Sequence, residues 1–210
     1  MTGSIKESVD VVAEPWINSR YYDEAEKWTF IFWSEDRIFR RLFNKLDLDS
    51  VIELACGHGR HAEVVQHKVG TLRLMDVLDE NIEFCKRRLG SNPKLEFVKN
   101  DGHTFQPVAA NSVTSIFCYD AMVHFSPDIV ASYVADAYRV LKPGGQVLLH
   151  HSNYDAPTDQ HYGLNPHARN HMTYELFKSI AAAAGMTIVA SEPIPWGEPD
   201  LDRLSLLRKH

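Results

Sequence analysis

Three cysteines in 210 residues, Cys56, Cys85 and Cys118, are too few and too irregularly spaced for a disulfide framework or a thiolate metal site. They suit a reducing compartment, as small buried thiols, and the expected location is cytoplasmic. Long apolar runs are missing too. None approaches the roughly 20 residues needed to cross a bilayer, so no membrane partner is expected. Residues 1–12 contain Lys6, Glu7 and Asp10 and lack an apolar core, which does not match a secretion signal. Nor is there an excess of positive charge: 22 Lys and Arg stand against 28 Asp and Glu, a net −6. Neutralising phosphates demands a basic face, so nucleic acid is not an expected partner. The basic run Lys86-Arg87-Arg88 closes an amphipathic stretch and suits the C-terminal end of a helix dipole. Internal repeats and low-complexity tracts are absent as well.

What the chain has is enough length for one domain with a substantial core. It is also rich in histidine, with 11, most of them after Tyr119. Residues 1–15 read as a poorly ordered arm ending at Pro15. Aromatic and charged residues crowd 16–46, and Trp28, Phe32 and Phe39 fit helical spacing. Two short helices are expected, near 21–28 and 31–45. Packing onto the core is one reading of these aromatics. A lid over a ligand, with Tyr21 and Tyr22 close to it, is the other.

From residue 47 the pattern becomes an alternation of short apolar runs and longer periodic segments. Strands are expected at 50–54, 72–75, 95–98, 113–118, 146–150, 186–190 and 204–207. Helices are expected at 60–67, 79–89, 127–141 and 174–184, with Ser126 and Thr173 as caps. Such alternation implies a three-layer α/β sandwich around a mostly parallel sheet. One stretch, 152–172, lacks periodicity and follows the C-terminal end of a strand, where open α/β sheets bind ligands. It reads as a substrate-side loop. Residues 1–46 are therefore taken as arm and helical lid, and 47–210 as the catalytic domain.

The strand at 50–54 runs into Ala55-Cys56-Gly57-His58-Gly59, a turn that lets backbone approach a ligand. Alone it is a weak signal, because several nucleotide-type cofactors use such a turn. Glu53 is poorly placed against a pyrophosphate but suits an ammonium group. Asp76 ends the next strand, where a carboxylate can bind ribose hydroxyls.

Residues 51–60, Val-Ile-Glu-Leu-Ala-Cys-Gly-His-Gly-Arg, resemble the first motif of class I S-adenosylmethionine-dependent methyltransferases. The resemblance continues through Leu74-Met75-Asp76, Asn100-Asp101-Gly102, Phe117-Cys118-Tyr119-Asp120 and Leu141-Lys142-Pro143-Gly144-Gly145. It implies a Rossmann-like fold of seven strands with the last antiparallel. It also implies S-adenosylmethionine as cofactor, with S-adenosylhomocysteine as product. Glu53 and Gly57 would hold the methionyl end, Asp76 the ribose and Asp101 the adenine amino group, with turn 118–120 along the methionine. Ala55, Val77, Gly102, Cys118 and Tyr119 complete the implied cofactor contacts, and Tyr22 is expected to join them from the lid. Ala55 departs from the pattern, since many members have glycine there.

Methyl transfer to a hydroxyl or amine needs an aligned nucleophile and a proton acceptor, a task suited to histidine. His124 and His151 are the expected catalytic residues; Tyr21, His150, Asn153 and Arg169 are expected to touch substrate. Neighbours on a strand point to opposite faces, so at most one of His150 and His151 can face the cleft. His167 and His171 have the i,i+4 spacing of a metal pair if their segment is helical, but no metal is assigned. The expected acceptor is a small metabolite, a sugar or natural product, for a monomer or homodimer. Methylation of a protein side chain and a non-catalytic S-adenosylmethionine-binding regulator are the alternatives.

Overall fold

The computed structural model describes residues 4–157 and 160–210. Residues 1–3 of the expected arm and 158–159 of the expected loop lie outside the described residues. Seven strands form one sheet: β1 (Ser50–Leu54), β2 (Thr71–Asp76), β3 (Leu95–Lys99), β4 (Val113–Cys118), β5 (Leu141–Ser152), β6 (Met186–Ile194) and β7 (Asp202–Lys209). Their order is β3-β2-β1-β4-β5-β7-β6. β1 to β5 pair in parallel, while β7 runs antiparallel between β5 and β6. The fold is the expected α/β sandwich.

Side-chain alternation sorts the two layers. Ile52, Leu54, Val147 and Leu149 join a cluster with α1 (Ile5–Ala13), α7 (Pro127–Val140) and α8 (Tyr174–Ala183). Val51, Phe117, Leu148 and Leu204 join the opposite cluster, with α4 (Ile38–Phe43), α5 (Arg60–Val65) and α6 (Asp79–Leu89). Glu53 and His150 therefore fall on the α5 side, and His151 on the α8 side.

The first 46 residues differ from expectation. The segment read as a loose arm forms α1, opened by a capping box in which Ser4 and Glu7 satisfy each other's backbone N–H groups. Val9 and Val12, three apart on one face, are buried against the core, and Ser8 Oγ donates to Asp128 at the start of α7, at 2.8 Å. In place of two helices at 21–28 and 31–45 there are three short ones: α2 (Tyr21–Glu26), α3 (Thr29–Phe32) and α4. Arg37 is extended and breaks the longer helix. Trp28 and Phe30 remain 53% and 70% exposed, so only part of the aromatic stripe packs. No helix among the described residues is long and apolar enough to cross a membrane.

Candidate active site

The carboxyl ends of β1, β2 and β4 converge on a cavity of about 950 Å³, open solvent at its mouth included. The turn after β1 supplies its floor. Ala55, Gly57 and Gly59 all have positive φ, at 53°, 52° and 77°. Ala55 thus occupies a conformation that glycine adopts without the roughly 1–2 kcal/mol penalty of a side chain. At Gly57 the need is steric as well, since a Cβ would stand 2.9 Å from Tyr22 Cε1. The Gly57 N–H donates to Asp76 Oδ2 at 2.9 Å, while Asp76 Oδ1 accepts from the Leu78 N–H and from Asn81 Nδ2. Burial raises the Asp76 carboxyl, and these hydrogen bonds offset part of that rise. The result is a carboxylate fixed on the cavity wall.

Polar latches hold α2 over this floor. Tyr21 donates its hydroxyl to Asp120 Oδ2 at 2.5 Å, and Arg60 Nη2 reaches the same oxygen at 2.7 Å. Arg60 Nη1 donates to the Ala25 carbonyl at 2.9 Å. Asn81 Nδ2 donates to the Tyr22 hydroxyl, and Arg88 pairs with Glu26. The Tyr22 ring stacks on His58 at 4.5 Å. Burial and the nearby carboxylates, Asp120 and Asp76 respectively, push the Tyr21 and Tyr22 phenols upward, so both remain protonated donors near neutral pH.

His124 follows β4 in a 3-10 turn and lines the cavity. Its Nδ1 lies 2.9 Å from the Ala168 carbonyl, which can only accept, so Nδ1 carries the hydrogen and Nε2 keeps a lone pair. Burial lowers its pKa to about 4, outweighing the Ala168 hydrogen bond. A neutral acceptor results, with Trp16 packed 4.8 Å away.

Three buried polar atoms here have no partner among the described residues: Glu53 Oε2, His61 Nε2 and Asn81 Oδ1. Desolvation raises the Glu53 carboxyl to about 8, against the pull of Arg60. His61 Nδ1 accepts from Trp33 Nε1 at 3.1 Å, which puts the hydrogen of the neutral ring on Nε2. Burial holds that ring well below the ordinary histidine pKa. The unmet Glu53 Oε2 at the end of β1, on a carboxyl that also takes the Ala62 N–H, and the unmet His61 Nε2 hydrogen in the first turn of α5 flank the glycine turn. An unmet buried polar atom is costly, roughly 1–3 kcal/mol, and the pair matches the ammonium and carboxylate of an amino-acid group. Asn81 Oδ1 adds an acceptor beside Asp76.

Of the residues expected to bind cofactor, Tyr22, Ala55, Gly57, Asp76, Val77, Gly102 and Tyr119 line the cavity, as do Tyr21 and His124. Glu53 is 2% exposed and lies behind the lining residues rather than among them, and two others are not brought to the cavity. Asp101 accepts from the His103 and Thr104 backbone and the Thr104 hydroxyl, an internal loop cap, and Asn100 and Gly102 take the wall instead. Cys118 is fully buried in β4, where desolvation pushes its thiol up to about 12.

The histidine-rich rim is likewise absorbed into structure. His151, expected to be catalytic, points to the other face of the sheet and stacks on Phe177 at 3.7 Å, its Nε2 2.8 Å from Ser205 Oγ. His150 lies between the Asp120 backbone and Asp202, and Arg169 binds Asp202 rather than facing the cavity. Asn153 donates to the Asp200 carbonyl and fastens the loop. His167 and His171 do not share a helical face, because Pro166–Ala168 is a 3-10 turn with His167 at φ 47°. Sequence reasoning missed Arg60, His61, Asn100 and Trp16. The first two follow the glycine turn directly, which was the available signal.

Residues 51–145 match the family model described as a methyltransferase domain. No curated protein matches the chain in sequence. Among solved structures, one similar chain comes from the complex of the Haloferax volcanii Trm112 methyltransferase activator with a methyltransferase. It is 14% identical with a TM-score of 0.70, covering 96% of this chain and 98% of that one. An S-adenosylmethionine-dependent methyltransferase from Mesorhizobium loti is 14% identical with a TM-score of 0.66, covering 81% and 97%. The [4+2]-cyclase SpnF, also 14% identical with a TM-score of 0.66, covers 91% and 83%. At these identities the likeness to solved structures is one of fold.

Proposed function

We propose that this chain, whose residues 51–145 match the family model of a methyltransferase domain, moves a methyl group from S-adenosylmethionine to an oxygen or nitrogen of a small acceptor. The observation that carries the cofactor reading is the orphaned pair flanking the glycine turn, Glu53 Oε2 and His61 Nε2. Glu53 would take the ammonium and His61 would donate to the carboxylate. Asp76, already fixed by the Gly57 and Leu78 N–H groups, would accept ribose hydroxyls. Asn100, Gly102 and Val77 would wall the adenine. When bound, S-adenosylmethionine supplies an electrophilic methyl group for in-line displacement.

The chain's own residues then align the acceptor and exclude water. α2, latched through Tyr21 to Asp120 and Arg60, closes the cavity over its contents. His124 presents the Nε2 lone pair to an O–H or N–H of the acceptor. With a pKa near 4 it orients the nucleophile by hydrogen bonding more readily than it retains a proton. A lidded pocket supports a small molecule over a protein side chain, which would need an open groove. Aromatic walls at Trp16, Tyr21 and Phe125 favour an acceptor with a planar or apolar body over a free sugar.

Thermal unfolding with ligands tests the cofactor reading. S-adenosylhomocysteine at about 100 times its Kd adds roughly 2.7 kcal/mol, or about 5–10 °C for a domain of this size, while NAD adds nothing. A shift with NAD and none with S-adenosylhomocysteine refutes it.

A further inference from the structure

Arg169 and Asp202 form a buried ion pair outside the cavity, 2% and 0% exposed. Arg169 Nε and Nη2 donate to the two oxygens of Asp202 at 2.8 and 2.5 Å. On its other side, Asp202 Oδ2 lies 3.1 Å from His150 Nε2, and His150 Nδ1 lies 3.1 Å from the backbone nitrogen of Asp120. A neutral imidazole has one donor and one acceptor nitrogen. Because Nδ1 faces an N–H, it must accept, so Nε2 carries the hydrogen and donates to Asp202. Hydrogen bonds thus run one way, from Asp120 to His150 to Asp202, with Arg169 closing the chain from the far end. Burial opposes the Asp202 charge, but His150 and Arg169 outweigh it and hold the carboxyl below its ordinary range.

The residue held in this way is strained. Asp120 has φ 60°, a left-handed conformation that disfavours a side chain. In that conformation its carboxylate meets Tyr21 and Arg60. The loop carrying Arg169 also grips the far end of the same turn. The Ala168 carbonyl accepts from His124, and Asn170 donates from its backbone to the Val123 carbonyl and from Nδ2 to the His124 carbonyl. Residues 168–170, which do not line the cavity, thus grip one end of residues 120–124 directly and reach the other through Asp202 and His150.

We propose that His150, with its tautomer fixed by Asp202 and Arg169, is a positioning residue that holds the Asp120 backbone so that the Asp120 carboxylate can latch Tyr21 and α2 over the bound cofactor. The link to cofactor rests on the function proposed above; the link to Asp120 does not.

Two replacements separate the hydrogen bond from the bulk of the ring. In His150→Asn the amide oxygen can take the place of Nδ1 and accept from Asp120, whereas His150→Leu offers no acceptor. Both lose the ring stacked 4.7 Å from Tyr119. Hydrogen exchange at the Asp120 amide should quicken about tenfold or more in His150→Leu, with S-adenosylhomocysteine dissociating faster in stopped flow by a similar factor. His150→Asn should stay within about threefold of the wild type in both. Equal impairment in the two variants, or an unchanged Asp120 amide in His150→Leu, overturns the proposal. Should His150→Leu not fold, Asp202→Asn with ¹⁵N spectra of the His150 ring decides the matter. The wild type should show an unprotonated Nδ1, and the variant a mixture of tautomers or faster Asp120 exchange; the absence of both changes in the variant refutes the relay. Failure of the wild type to bind S-adenosylhomocysteine would sink the cofactor reading alone, since Asp120 exchange is read without ligand.

Discussion

Glu53 ties stability, pH and ligand binding together, and replacing it with glutamine separates them. Its carboxyl, ordinarily at 4.5, is raised to about 8 by burial, against a smaller opposing pull from Arg60. The unfolded chain gives up this proton near pH 4.5, while the folded one keeps it to about 8. Between those values the folded state binds one more proton than the unfolded state. Stability therefore falls as pH rises, by about 1.4 kcal/mol per unit from this group alone. Glu53→Gln keeps the neutral shape and removes the term. Urea unfolding at about pH 5.5 and about pH 7.5 should show the variant gaining on the wild type by roughly 3 kcal/mol across that window. Parallel pH profiles for the two proteins would refute the reasoning. An ammonium ligand reverses the balance, because it stabilises the charged carboxylate. S-adenosylhomocysteine binding near pH 7 should then release a proton in the wild type and not in the variant. Calorimetry in buffers of different ionisation enthalpy reads that proton directly.

Three further outcomes are expected. His61→Phe should weaken S-adenosylhomocysteine about tenfold by calorimetry while leaving 5′-methylthioadenosine, which lacks the carboxylate, unchanged; equal losses would reduce His61 to packing. Gly102 has φ 81°, and an added Cβ would lie 2.4 Å from Val9 Cγ1. Gly102→Ala should therefore cost about 2–4 kcal/mol in urea, and adding Val9→Ala should recover the steric share but not the backbone share. No recovery would mean that α1 does not press on this turn. On the acid side, burial lowers His124 to about 4 and His151 to about 3. The unfolded chain binds more protons below about pH 6.5, so stability present above that pH is lost as it falls, and His151→Phe should flatten the decline. An identical decline in that variant would show that His151 is not buried uncharged.

The parallel half of the fold was readable because its strands are short apolar runs punctuated by glycine and proline, and because the turn that floors the cavity is continuous in sequence. The place of Asp76 on the cavity wall was readable for the same reason, as it closes a strand. The histidine rim was not. Strand parity correctly separates His150 from His151, but nothing local reveals that the partner of His150 is Asp202, 52 residues away, rather than a ligand. The turning of Asp101 from the cavity was not legible either, because its side chain found donors two and three residues along its own loop. The docking of α1 had a local signal, Ser4-Ile-Lys-Glu7 followed by Val9 and Val12, which is a capping box before an apolar pair.

That helix has a consequence for the order in which the molecule is completed. Ser8 finds its partner at Asp128, 120 residues later in the chain. During synthesis α1 leaves the ribosome well before α7, yet the surface it covers exists only once α7 has been made and folded onto the sheet. The cavity wall that α1 supplies is therefore complete only after α7 is in place. A bulky fusion ahead of residue 4 would hinder that last docking step while leaving the sheet, and the far-UV spectrum, intact.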